Sequence, residues 1–294
     1  MLWLLIALLN PLLHGWSNII DNVLVNRIFK NPLNLVVFSA AMNIVFLPLL
    51  FLFQIPVLPT LNTLPIFILL GLLDIAYVYP YYKALQHDDT SVVSGLFSLG
   101  KVFVPLFAFI IVGEVLSINQ YLGFILIILS SSLMTLNFKK LKMGKSFIYM
   151  VAVSVILSME AVLYKFALAG LDWVTVITWS SVFTSLFAFA LFVVKRKEIL
   201  LQLPKFKKKV HLFVLEEIIT FGGSVAGIFA MSIAPVTLVV GVWSLQPIFI
   251  LAYALLFSRM MPNVFKEKVD RKSVLKKVLL FGLVIIGGIL AFYE

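Results

Sequence analysis

The sequence contains no cysteine, which excludes disulfides, thiolate metal sites, haem attachment and redox pairs together. Histidine is nearly absent: His14, His87 and His211 lie far apart, without the paired spacing of metal ligands. Charge is scarce too, at 12% of residues against about a quarter in soluble domains. Nucleotide and hydrolase signatures are missing as well. Gly144-Lys145-Ser146 has Lys139 where a phosphate loop carries its upstream glycine. Gly222-Gly223-Ser224-Val225-Ala226 ends in alanine where a nucleophile elbow carries glycine. No cofactor is expected.

What is abundant is apolar: 62% of the 294 residues are hydrophobic, and the mean hydropathy is +1.12. A soluble domain is excluded, and lipid is the expected solvent. Apolar stretches fall at 2–28, 33–54, 62–86, 90–112 and 116–137, then at 146–169, 173–195, 209–232, 236–258 and 275–293. At about 20 residues per span, each is long enough to cross a bilayer. Backbone facing lipid must satisfy its own hydrogen bonds, and runs this long lack the short alternating segments of barrel strands, so the spans are expected to be helices. The first stretch starts Met1-Leu2-Trp3 with no basic region and runs on through Pro11 and His14, so it reads as a retained span rather than a cleaved signal.

The charges orient these spans. Twenty-one of the 23 Lys and Arg fall in the links after the first, third, fifth, seventh and ninth stretches, and the opposite face receives at most Lys165. Basic loops stay cytoplasmic, which puts both termini outside. The net charge of +10 then marks topology and attraction to anionic lipid heads on the cytoplasmic face, and nucleic acid is not an expected partner.

Five spans, a basic break and five more spans suggest an internal duplication: residues 1–137 and 146–294 as repeats, 138–145 as a cytoplasmic link. An odd number of spans per repeat inverts the second copy. Ala84 to Leu99 reads ALQHDDTSVVSGLFSL, and 146 positions on, Ala230 to Leu245 reads AMSIAPVTLVVGVWSL; Ala84, Gly95, Ser98 and Leu99 meet Ala230, Gly241, Ser244 and Leu245. The stretch SVVSGLFSLGKVFVPLFAFIIVGEVLSINQYLGFILIILSSSLM, residues 91–134, resembles the repeat unit of EamA-type transporters of the drug/metabolite transporter superfamily, with Gly113-Glu114 at its turn and Gly123 in the following helix. The resemblance implies ten transmembrane helices in an all-α membrane protein. It also implies a central cavity lined by the first four helices of each half, with spans five and ten outside it. Three places depart from the family pattern. Gly100-Lys101 stands mid-span where an acid or Gln precedes Pro (the second half keeps Gln246-Pro247), Arg259 replaces a glutamate, and the link at 260–275 is long.

Ionisable groups within spans are expensive and usually face an interior or a wet path. Seven qualify: Asp21, Asp74, Lys101, Glu160, Lys165, Glu216 and Glu217. Lys101 is the deepest, and Ser94, Ser98 and Pro105 share its helix face at spacings of four, three and four. That stripe is expected to face the cavity, with Lys101 and Ser98 at the substrate; the alternative is a helix-pinning ion pair of Lys101 with Asp74 or Glu160. Asp74 has Tyr77 and Tyr81 on its face, which suits an ammonium group; the alternative is plain aromatic packing. Glu160 meets His14 at the 146-residue offset, and Glu160 and Glu216 are the expected coupling acids. Glu217 reads as a partner for Lys205 to Lys209, Asp21 as a gate paired with Arg27, and Asp89 as the cap of span four. Trp16, Trp243 and Gln246 complete the substrate candidates, with interface anchoring as the alternative for tryptophan. Gly223 and Gly227 form a GxxxG that reads as close helix packing.

Five in-span carboxylates against two lysines disfavour a phosphorylated anion. The expectation is a secondary transporter, since no ATP site is legible, moving a zwitterion such as an amino acid or an organic cation by alternating access. Protons or sodium are the candidate coupling ions. The chain is expected in a bacterial or archaeal plasma membrane, as a monomer or homodimer. The competing reading is an intramembrane enzyme acting on a lipid or polyprenyl substrate, although its acids would gather at one membrane face instead of scattering over four spans.

Overall fold

The computed structural model describes residues 2–27, 32–88, 90–135, 145–201, 209–257 and 271–292. Among them the chain is all-helical. Six helices precede residue 136: α1 (Leu2–Arg27), α2 (Pro32–Leu50), α3 (Leu64–His87), α4 (Thr90–Gly100), α5 (Val104–Val112) and α6 (Ile118–Thr135). Six follow: α7 (Lys145–Leu168), α8 (Trp173–Leu200), α9 (Val210–Ile233), α10 (Val236–Trp243), α11 (Gln246–Phe257) and α12 (Arg271–Phe292). Eight helical stretches are long and apolar enough to cross a membrane, and Ile118–Leu133 and Leu279–Ala291 are shorter apolar helices. The protein is an integral, multi-pass membrane protein. Its outer surface agrees: Leu5, Phe109, Ile110, Phe189 and Val194 all stand at least 60% exposed on helix faces, where only lipid stabilises them.

Two of the spans are broken, each by a proline. Pro105 has no N–H for the Lys101 carbonyl four residues back. The Val104 N–H bonds that carbonyl instead, and residues Lys101–Phe103 tighten into a 3₁₀ turn between α4 and α5. Pro247 likewise offers nothing to the Trp243 carbonyl, and the chain turns at Ser244 and Leu245, where the Leu245 N–H reaches back to Val242 at 3.0 Å. The two breaks meet: Ser98 Oγ donates to the Ser244 carbonyl at 3.0 Å.

In the bundle α1 packs along α9, and α7 packs along α3. α2 lies against α8, and α6 pairs with α12. Small residues permit these approaches. A Cβ on Gly71 of α3 would sit 2.6 Å from the Thr184 nitrogen of α8, and one on Gly100 would collide with Ser154 of α7. Gly223 and Gly227, the GxxxG pair, lie under His14, Asn10 and Trp243, so close packing is their role. The links at one end of the bundle (after α1, α3, α6 and α8) carry most of the basic residues in the sequence; we call this the basic end. Asp89, the link residues 138–144, Lys205 to Lys208, Arg259 and the link residues 260–270 lie outside the described residues, as does the side chain of Arg27.

Candidate functional site

The long helices enclose a cavity of about 250 Å³. At about 30 Å³ per water in the liquid, that is space for roughly eight waters or one small solute. Its wall is built by α1, α2, α3, α4, α7, α8, α9 and the broken span α10–α11, while α6 and α12 contribute no lining residue among those described.

The ionisable residues of five helices converge there: Asp21, Asp74, Lys101, Glu160, Glu216 and Glu217 all line this one space, with His14. Tyr77, Tyr81, Trp243 and Gln246 line it too. The helical period explains the convergence. On α1, Asn10, His14, Ser17 and Asp21 follow at steps of four, three and four, which puts a polar stripe on one side of an otherwise apolar helix. On α9, Glu216, Thr220 and Ser224 step by fours.

At the level nearer the basic end, the carboxyls sit in a hydrogen-bonded group. Ser17 Oγ and Thr220 Oγ1 both donate to Glu216 Oε1, at 2.7 and 2.6 Å. The Tyr81 hydroxyl donates to Asn18 Oδ1 at 2.7 Å and lies 3.2 Å from Asp21 Oδ2. Asp21, Glu216 and Glu217 are each at most 5% exposed. Asp21 Oδ1 and Glu217 Oε1 accept no hydrogen bond among the described residues. Glu217 was expected to pair with the basic stretch before α9, of which Lys205 to Lys208 lie outside the described residues; its side chain is buried and lines the cavity with Glu216. Asp21 bonds Tyr81 in the cavity wall.

Deeper in the bundle, Thr184 Oγ1 donates to Asp74 Oδ2 at 2.8 Å. Glu160 Oε2 is buried without a hydrogen-bond partner among the described residues. Tyr164, one turn from Glu160, lines the cavity and donates to Ser180 Oγ at 3.1 Å. Lys101 is 8% exposed, and its Nζ lies 5.1 Å from the centroid of Phe97. No described carboxylate forms an ion pair with it, so the helix-pinning pair with Asp74 or Glu160 is absent from this conformation.

Four candidates sit elsewhere. Ser98 is fully buried and spends its hydroxyl on the Ser244 carbonyl, so it joins the two broken spans instead of lining the cavity. Ser94 is packed away as well. Of the stripe of Ser94, Ser98, Lys101 and Pro105, only Lys101 lines the cavity. Trp16 packs edge-on against Tyr253 with ring centroids 5.2 Å apart and is not in the lining. Lys165 lies at the far end of the bundle, donating at 2.8 Å to the Met231 and Ala234 carbonyls that end α9. Sequence reasoning missed Asn10, Ser17, Asn18, Tyr82, Tyr164 and Thr220 as cavity residues. The signal for several was present, as uncharged polar residues in step with His14, Asp21, Glu160 and Glu216.

A bundle of apolar helices around a cavity into which several buried acids turn defines the class: a polytopic membrane protein. Residues 1–136 match the model of the EamA-like transporter family. The resemblance carried by residues 91–134 is thereby shown, and it points to a membrane transporter of the drug/metabolite transporter type. No curated protein matches the chain. Among solved structures 28 chains match. One, a crystal structure of a protein, is similar with a TM-score of 0.68 at 13% identity, over 99% of this chain and 96% of that one. At that identity the likeness establishes the fold.

Proposed function

We propose that the protein is a secondary transporter that moves a small zwitterion, such as an amino acid, or an organic cation by alternating access of two inverted five-helix repeats. The observation that carries this reading is the single cavity into which α1, α3, α7, α9 and the α4–α5 break each turn an ionisable side chain. The repeat reading has its own support. α3 (Leu64–His87) and α9 (Val210–Ile233) begin and end 146 residues apart, and Ser98 bonds the residue 146 positions on. The packing of α1 on α9 and α7 on α3 is what exchanging two such halves produces. In this reading α6 and α12 are spans five and ten, paired outside the cavity.

Lys101 is the donor for a substrate carboxylate, and Asp74 with Tyr77 receives an ammonium group. Trp243 and Gln246 close the wall from the second broken span. Glu160 and Glu216 are the proposed coupling acids and Asp21 the gate, through its bond from Tyr81. Purified protein in liposomes tests the proposal. A carrier preloaded with unlabelled amino acid should show saturable counterflow of labelled substrate, and Glu160→Gln should abolish accumulation driven by a pH gradient while exchange persists. Linear, non-saturating flux with no counterflow would overturn the carrier reading.

A further inference from the structure

Among the described residues the cavity holds acid at two depths and one lysine, Lys101, at one of them. Asp21, Glu216 and Tyr81 each lie six residues from the basic-end boundary of their helices, at Arg27, Val210 and His87. Asp74 and Glu160 lie 13 and 15 residues from theirs, at His87 and Lys145, and Lys101 is 11 residues beyond Thr90. At about 1.5 Å of rise per residue, the two levels are separated by roughly 10 Å. The wall between them carries apolar side chains as well as the hydroxyls of Ser17, Ser154 and Thr220: Val78 lies between Asp74 and Tyr81 on the same face of α3, and Phe97 and Leu157 also line the cavity. The Phe97 ring faces Lys101 Nζ at 5.1 Å on one side and meets the Tyr81 ring edge-on at 6.3 Å on the other.

We propose that the substrate is a basic amino acid, a zwitterion carrying a second cationic group at the end of an aliphatic chain. The proposal rests on reading the cavity as the substrate site. The α-carboxylate bonds Lys101, and the α-ammonium bonds Asp74 and Glu160. The side-chain methylenes lie along Val78 and Phe97, and the terminal cation enters the group of Asp21, Glu216 and Glu217. The orphan carboxylate oxygens support this arrangement independently of the charge count. Glu160 Oε2 at the deep level, with Asp21 Oδ1 and Glu217 Oε1 at the other, are buried without partners among the described residues. Asp21, Glu216 and Glu217 line the cavity together, and an arriving cation is attracted to that group. Among the described residues Lys101 is the only lysine or arginine lining the cavity. A monocationic zwitterion satisfies the deep level alone. A diamine satisfies both acid levels but sets an ammonium against Lys101.

Calorimetric titration of the full chain in detergent with L-lysine, L-norleucine and 1,5-diaminopentane tests the proposal. Norleucine lacks the terminal ammonium and the diamine lacks the carboxylate. A charge-assisted hydrogen bond predicts that lysine binds at least about tenfold more tightly than either. Asp21→Asn, nearly isosteric, should bring lysine toward the affinity of norleucine; if that variant does not fold, the wild-type ligand series decides alone. Norleucine binding as tightly as lysine would overturn the second cation site and leave the zwitterion reading standing. A diamine as tight as lysine would remove the carboxylate from the argument and overturn the proposal. Binding of none of the three would sink the proposal together with the reading of this cavity as an amino acid site.

Discussion

An ammonium at mid-helix costs about 2.5–3.5 kcal/mol on insertion scales, so Lys101 must return something for its place in the α4–α5 break. Among the described residues no carboxylate pairs with it, and its Nζ lies over the Phe97 ring. Lys101→Met keeps most of the volume and removes the charge. We expect the variant to fold with an unchanged or higher melting temperature and to bind carboxylate-bearing substrates about tenfold more weakly or worse. A helix pin would give the opposite pattern: lower thermal stability, restored by Asp74→Asn or Glu160→Gln in the same molecule. At this scale the sequence was legible where charge interrupts an apolar run, because a buried charge needs a reason. It was not legible for Ser98 and Trp16. A serine or tryptophan in a span fits packing as well as binding, and only the fold shows that one bridges to Ser244 and the other to Tyr253.

Helix ends far from the basic end are held by charges of the sign each end requires. Gly113 ends α5 in the left-handed region at φ 65°, a conformation glycine adopts without strain. The turn aims Glu114 at α10, whose first N–H groups, on Val236 and Thr237, donate to its two oxygens at 2.7 and 2.9 Å. Lys165 places its cation on the carbonyl end of α9 in the same region. Both complement the helix dipole. Glu114→Ala removes two charge-assisted bonds and should lower stability by roughly 1–2 kcal/mol, read as a fall in the melting temperature of purified protein, with Glu114→Gln intermediate. An unchanged melting temperature for Glu114→Ala would mean that α10 needs no cap. The turn residues themselves stood out in the sequence as Gly113-Glu114, but the partner did not. A cap contributed from 122 residues away leaves no local pattern. The ten apolar stretches were legible to within a few residues, whereas the proline breaks at Lys101–Phe103 and Ser244 were hidden inside runs of uniform hydropathy.

The whole molecule is a bundle of helices whose net charge of +10 comes mostly from its basic links, with further ionisable groups inside. Those two populations of charge have different jobs. The carboxylates and Lys101 inside face a cavity and leave the topology alone, while the twenty-one Lys and Arg of the basic links decide which way the chain inserts. A bias that large across short loops exceeds anything the single Lys165 could set against it. Lys165 is in any case engaged on the carbonyls of α9. We therefore expect the basic end to be cytoplasmic and both termini to lie on the opposite side. Paired reporter fusions check this, one active only in the cytoplasm and one active only outside it. A fusion after Glu294 should report outside, and one inserted within residues 198–206, from the last turn of α8 toward α9, should report inside. If both fusions report the same side, α12 does not cross the membrane, and the even number of spans that the inverted repeats require is lost. If each reports the side opposite to expectation, the span count stands but the orientation is reversed, and the cavity's lower acid group, near the basic end, would open to the exterior.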